Sequence, residues 1–237
     1  MNHIGRNIGT LGYRIIDLPP ISKEARDCFS DLPEDPYYKE RWRQFSQYIL
    51  FHENDHWACR KLEHRPFIQA KAYNHKVGGV RRELEPITGV DPTPQFAKIA
   101  EELEFDRNSV FQVNLHQWRT RADERYRGKT IPEGPHRDGH HITSVVVWER
   151  HNITGGESVL YRIGETEPFF EYALQPGQCL VMRDEDLVHG ARDIRPADDR
   201  GGYRDIWVIS INPWADRRYG QEFEEFASAD VSMQAAE

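Results

Sequence analysis

The chain has 237 residues, 38% of them hydrophobic, which is long enough for one well-cored domain and too apolar for a disordered chain. Its 31 Lys and Arg against 39 Asp and Glu leave a net charge of −8, which argues against a nucleic-acid binder and for a small-molecule partner. Cys28, Cys59 and Cys179 are odd in number and widely spaced, so they suggest neither a disulfide framework nor a zinc knuckle and fit a reducing, cytoplasmic setting. No run approaches the roughly 18 apolar residues that span a bilayer, and the opening MNHIGRNIG lacks the apolar core of a secretory signal. The expectation is a monomer or homodimer with no membrane association.

In chain order, Tyr13 to Leu18 reads as a strand that Pro19-Pro20 breaks. A second turn-rich stretch, Leu32-Pro33-Glu34-Asp35-Pro36, makes the first 50 residues look like a wrapped entry segment. His52-Glu53-Asn54-Asp55-His56 then matches H-E-x-x-H, which on a helix sets two zinc-binding imidazoles one turn apart beside a general-base Glu, as in zinc peptidases. Its surroundings oppose that reading. Asn54 and Asp55 are weak helix-interior residues, Cys59 stands where the extended motif needs Gly, and a third ligand would have to be Glu83 or Glu85. From Pro94 to Leu103, Phe96, Ile99, Ala100 and Leu103 recur at helical spacing with acidic residues on the other faces, which predicts one amphipathic helix.

Beyond residue 109 the texture changes. Val110 to Trp118, Ile142 to Trp148, Ser158 to Ile163, Phe169 to Leu174, Cys179 to Met182 and Arg204 to Ile211 are short β-branched or aromatic runs. Gly155-Gly156, Pro176-Gly177 and Gly201-Gly202 supply turns between them. Short strands without intervening helices predict an antiparallel sandwich or jelly roll, in an α+β, mainly β chain. The expected organisation is one domain, 1–237: a mixed helical part over 1–108, a β core over 109–214 and a polar tail over 215–237, with Ala227 to Glu237 fraying.

Within that β half, His136 and Asp138 stand two apart, so on an extended strand both point to one side while Arg137 points away. His189 returns 51 positions after Asp138. Two imidazoles and a carboxylate on one octahedral face suit non-haem Fe(II), with the remaining positions open for a chelating cosubstrate and dioxygen. The tripeptide alone is better explained by chance among 11 histidines; its turn-like surroundings, the β-rich segment after it and the return of His189 are what favour a site. His140 and His141 are near enough to compete as ligands, but a supporting role is the commoner fate of such neighbours.

Further on, the alternation of Tyr203 to Ile211 puts Arg204, Ile206, Val208 and Ser210 on one face; on this pattern Arg204 is either an exposed strand-end cation or, if it begins a buried apolar face, an Arg that needs an anion, which its planar fork matches as a carboxylate. On the strand Phe111 to Arg119 the pattern leaves open which set faces inward, Gln112, Asn114, His116 and Trp118 or Val113, Leu115, Gln117 and Arg119.

Several segments together resemble the 2-oxoglutarate/Fe(II) dioxygenase family that includes bacterial L-isoleucine 4-hydroxylase. They are Pro132-Glu133-Gly134-Pro135-His136-Arg137-Asp138-Gly139-His140, the Gly155-Gly156-Glu157-Ser158 turn, Pro176-Gly177, the His189 to Arg204 stretch and, upstream, Tyr73-Asn74 with Gly78-Gly79-Val80-Arg81. The resemblance implies a double-stranded β-helix, jelly-roll-like, buttressed by preceding helices. It implies His136, Asp138 and His189 as iron ligands, Arg204 as the partner of the far carboxylate of 2-oxoglutarate, and Gln117 or Arg119 near an amino-acid carboxylate. Cofactors would be Fe(II), 2-oxoglutarate and O2, and the substrate a free L-amino acid that is hydroxylated as 2-oxoglutarate becomes succinate. Asp rather than Gly or Ala at 138 favours hydroxylation over halogenation. A jelly-roll module that binds a small carboxylate without turnover is the alternative.

Overall fold

The computed structural model describes residues 4–74 and 76–229. Strand β1 (Tyr13–Asp17) leads into a short helix α1 (Lys23–Asp27), whose first turn is capped by the Ser22 hydroxyl accepting from the Ala25 N–H at 3.1 Å. A long strand β2 (Arg41–Glu53) and β3 (His56–Lys61) then form a hairpin. Its two turn residues, Asn54 and Asp55, have φ of 48° and 61°, the left-handed conformation that Asn and Asp tolerate best.

That hairpin contains the H-E-x-x-H motif and removes the zinc-peptidase reading that its surroundings already opposed. His52 is paired with Trp57 and Glu53 with His56, so the helical turn that would bring the two imidazoles onto one face does not exist.

Helix α2 (Thr93–Glu102) falls within a residue of its expected place and buries Phe96, Ile99 and Ala100. The β-rich half comprises β4 (Phe111–Ala122), β5 (Ile142–His151), β6 (Ile153–Gly155), β7 (Ser158–Arg162), β8 (Phe170–Tyr172), β9 (Gln178–Arg183), β10 (Leu187–Ala191), β11 (Ile194–Pro196) and β12 (Gly202–Pro213), followed by helix α3 (Gln221–Ser228).

All ladders are antiparallel. A seven-stranded sheet runs β1-β9-β5-β12-β4-β2-β3, a three-stranded sheet β10-β7-β8 lies across it, and β11-β6 is a separate ribbon. Between the layers sit Val147, Leu160, Leu180, Leu187, Ile206 and Val208. On the outer side of the large sheet, Val113, Leu115, Val146, Trp207, Ile209 and Ile211 pack with Phe96, Ile99 and Leu103 of the α2 region. The fold is therefore mainly β with a jelly-roll core, and α2 buttresses one sheet. No helix among the described residues is long and apolar enough to cross a membrane.

Two segments differ from the expected division. The part before residue 109 contributes to the main sheet not only β1, where a strand was expected, but also β2 and β3. In β2 the residues facing inward include Arg41, Arg43 and Gln47, so the strand reads as polar although its buried face is continuous. The expected tail also has structure over its first part. Glu224 of α3 pairs with Arg65 and, at 2.9 Å, with Arg81, and Ala227 is buried against Ile68 and Ala70. Residues 230–237 of that tail lie outside the described residues.

Candidate metal centre and pocket

The His136 segment is extended but is not a strand of the sheet. It makes one antiparallel bridge, in which His136 and His189 exchange N–H···O=C bonds of 3.0 Å in both directions. Directly opposed residues of an antiparallel pair put their side chains on one face, so the two imidazoles meet with ring centroids 4.8 Å apart. Asp138, two residues on, shares that face: its carboxylate lies 3.2 Å from His136 Nε2 and 3.5 Å from His189 Nε2. One donor atom from each of the three falls within 4.8 Å of the others.

Electrostatics match a carboxylate held between two imidazoles. Burial alone would lower His136, but the adjacent Asp138 outweighs it and raises the imidazole to about 9. Burial pushes His189 down to about 4, and Asp138, despite its own burial, is held below the usual carboxylate range by both histidines. Two nitrogens and one oxygen converging with the chemistry of a hard-to-borderline divalent site fit Fe(II).

The arm that carries Asp138 is fixed by groups that no motif or periodicity singles out. Asp184 accepts the backbone N–H groups of Asp138 (3.0 Å), Gly139 (2.7 Å) and His140 (3.2 Å), and its Oδ1 lies 3.6 Å from His189 Nδ1. Burial and the nearby Asp138 charge raise the Asp184 pKa against the pull of those N–H groups. Gln69 donates to Asp138 Oδ1 at 2.8 Å and is itself held by Asn74 at 3.1 Å, while Thr143 reaches Asp138 Oδ2 at 3.4 Å. Gly139 has φ +82°, and a Cβ there would meet the Tyr73 ring at 2.2 Å, so this tight approach admits no larger residue.

His140 is buried on the pocket wall with its ring nitrogens on Asn212 (2.8 Å) and Asn114 (3.4 Å), and burial lowers it to about 4. His141 turns outward toward Glu185 and Asp216. Neither joins the triad.

The triad opens onto a pocket between the two sheets. Strand β12 presents Arg204, Ile206, Val208 and Ser210 to it, the alternation read from the sequence. Arg204 is 1% exposed, and its Nε and Nη2 have no hydrogen-bond partner among the described residues. Burial, with Arg150 nearby, lowers it to about 10, still a cation at neutral pH. A buried guanidinium with idle donors is costly unless an anion completes it, so this wall fits a ligand carboxylate.

On β4 the structure decides between the two candidate sets. His116 and Trp118 line the pocket, whereas Gln117 and Arg119 lie on the opposite face. Gln117 is fully buried on the helix side, and Arg119 forms a two-pronged pair with Asp205, both contacts 2.7 Å. Their expected place near a substrate is thereby corrected: period-2 alternation cannot put them on the face that His116 occupies. Reading the sequence missed Arg41, Arg43 and Arg82, which also line the pocket; the alternation Arg41, Arg43, Phe45, Gln47 was the available signal.

A family model described as 2OG-Fe dioxygenase matches residues 26–210. No curated protein matches the chain significantly in sequence. Among solved structures, the chain is similar to a bsmA homolog from Methylobium petroleophilum PM1, with TM-score 0.66 at 20% identity over 85% of this chain and 88% of that one. It is similar also to IDO from Bacillus thuringiensis, with TM-score 0.64 at 18% identity over 86% and 91%. A 2OG-Fe(II) oxygenase family oxidoreductase from Burkholderia pseudomallei gives TM-score 0.52 at 15% identity over 86% and 85%. At these identities the likeness is one of fold.

Proposed function

The chain belongs to the 2OG-Fe dioxygenase family and so works with Fe(II), 2-oxoglutarate and O2, and from that premise we propose that it hydroxylates a free L-amino acid. In this reading His136, Asp138 and His189 hold the iron, and Arg204 takes the far carboxylate of 2-oxoglutarate. The observation that carries it is the buried Arg204 guanidinium, whose Nε and Nη2 have no partner among the described residues, on the wall of the same pocket as the triad. When bound, the iron centre supplies oxidation of the substrate by O2 coupled to conversion of 2-oxoglutarate to succinate and CO2.

The chain's own residues bind and orient. Gln69 and Thr143 fix the Asp138 carboxylate, and Asp184 pins the backbone that presents it. Trp118, Val145, Ile206 and Val208 give the pocket an apolar wall that keeps water from the reacting carbon and suits an aliphatic side chain. The family resemblance noted in the sequence supports an amino acid as the substrate class.

The test is succinate formation by purified protein with Fe(II), 2-oxoglutarate and ascorbate, against each of the 20 L-amino acids. One or a few should stimulate it and gain the mass of one oxygen. No stimulation by any of them would sink the amino-acid assignment.

A further inference from the structure

Arg204 is one of four arginines on the pocket wall, and the other three are grouped away from it. In the large sheet Arg204 and Arg41 are both paired in register with Thr120, one from each side. They therefore stand on the same face two strands apart, about 10 Å between backbones at the usual strand spacing, and their guanidiniums have different charged neighbours: Arg150 and Glu157 beside Arg204, but one another with Arg82, Asp35 and Glu133 around Arg41 and Arg43. One residue pair along, Trp118 lies between Ile206 and Arg43 in the same way, and the Arg41 guanidinium sits 4.2 Å from the centre of its ring. Arg82 reaches the same place from a segment bridged to Phe67, its guanidinium 5.3 Å from the Phe67 ring, as Arg43's is at 5.1 Å.

These three cations are poorly compensated. Arg43 meets Asp35 only at 3.6 Å and otherwise donates to His116 Nδ1. Arg41 donates to the Thr130 carbonyl, and its Nε has no partner among the described residues; Arg82 donates to the Val77 carbonyl. The acids facing them are Asp35 and Glu133, so three guanidiniums meet two carboxylates and one positive charge is left over. Glu133 also lines the pocket, and its buried Oε2 has no partner among the described residues. Crowded, buried guanidiniums are maintained at a cost that a bound anion offsets.

We propose that Arg41, Arg43 and Arg82 form a second anion subsite, which seats the carboxylate of the primary substrate while Glu133 faces its ammonium group. This rests on the amino-acid hydroxylase reading for the identity of the ligand, but the subsite is a statement about these residues. It divides the pocket into a cosubstrate end at Arg204 and a substrate end at β2, with the Trp118 ring between them.

The test is calorimetric and needs no turnover. Protein loaded with Fe(II) and 2-oxoglutarate under argon is titrated with the 20 L-amino acids, with the carboxamides of any that bind, and with isovalerate and 4-methylpentanoate. The acids should bind at least about tenfold more tightly than matched carboxamides, the scale of a charge-assisted hydrogen bond. Arg43→Met should weaken acid binding similarly and keep 2-oxoglutarate affinity, which also certifies the fold; Arg82→Gln serves where Arg43→Met fails that check.

Carboxamides binding as well as acids, acids unaffected in both variants, or no acid binding at all would overturn the subsite. Amino-acid binding and stimulated succinate formation that ignore Arg43 and Arg82 would sink the subsite and leave the function standing. Arg43-dependent binding of the simple carboxylates, with no amino acid bound or turned over, would do the reverse.

Discussion

Strands β4 and β12 carry two faces made from the same backbone. On the helix side Val113, Leu115, Trp207, Ile209 and Ile211 interlock with Phe96, Ile99 and Leu103. On the pocket side stand His116, Trp118, Arg204, Val208 and Ser210. One face is mostly apolar, with Gln117 as its buried polar exception, whereas the other buries cations and imidazoles whose partners are scarce. The contrast teaches that strand alternation lets adjacent residues serve different ends: stability is concentrated on odd positions of these strands, and recognition on even ones.

The largest test of that separation is Asp138→Ala, which should remove turnover by more than the about 10–100-fold that changes around a metal ligand cost. Substantial hydroxylation by the variant would remove Asp138 from the metal. Next is Trp207→Ala on the helix side, expected to cost about 3–5 kcal/mol of stability while the folded fraction keeps its 2-oxoglutarate affinity. A large loss of that affinity would mean that the faces are not independent. Arg204→Gln should weaken 2-oxoglutarate binding about tenfold to a hundredfold with iron affinity unchanged, read by calorimetry. Gln69→Ala should lower metal affinity within about the 10–100-fold range, measured against a competing chelator; unaltered affinity would show that Asp184 and Thr143 suffice.

The smallest effect concerns pH. Burial, helped by Arg43, keeps the His116 pKa well below its ordinary value. The unfolded chain protonates this imidazole below about pH 6.5 and the folded one does not, so its contribution to stability is complete above that pH and declines as the pH falls. The slope is at most about 1.4 kcal/mol per pH unit for one proton. Comparing wild type with His116→Gln at pH 7 and pH 5.5 should show the wild type losing more; equal losses would mean that His116 takes up a proton in the fold.

Local pattern carried a good part of this. Helix α2 and the β-rich half were readable from periodicity. The His136 and Asp138 pairing was readable because a two-residue offset in an extended segment fixes a shared face, while His189 came from its return beyond the β-rich segment and from the family resemblance. What escaped was whatever depended on partners distant in sequence. Asp184 is an ordinary acid until three N–H groups from residues 138 to 140 converge on it. Gln117 and Arg119 were candidates because both alternating sets of β4 mix polar with apolar residues, and only pairing with β2 and β12 on either side tells which set faces the cavity. Strand β2 was hidden for the same reason: arginines that face a closed pocket look, in sequence, like arginines that face water.

The reciprocal His136 and His189 backbone bonds, together with the Asp184 anchor, hold the ligand arm through peptide groups rather than through the ion. Metal exchange should then resemble filling a rigid socket: chelation strips the ion without unravelling the arm, reloading requires no refolding step, and far-UV dichroism stays flat through cycles of removal and return.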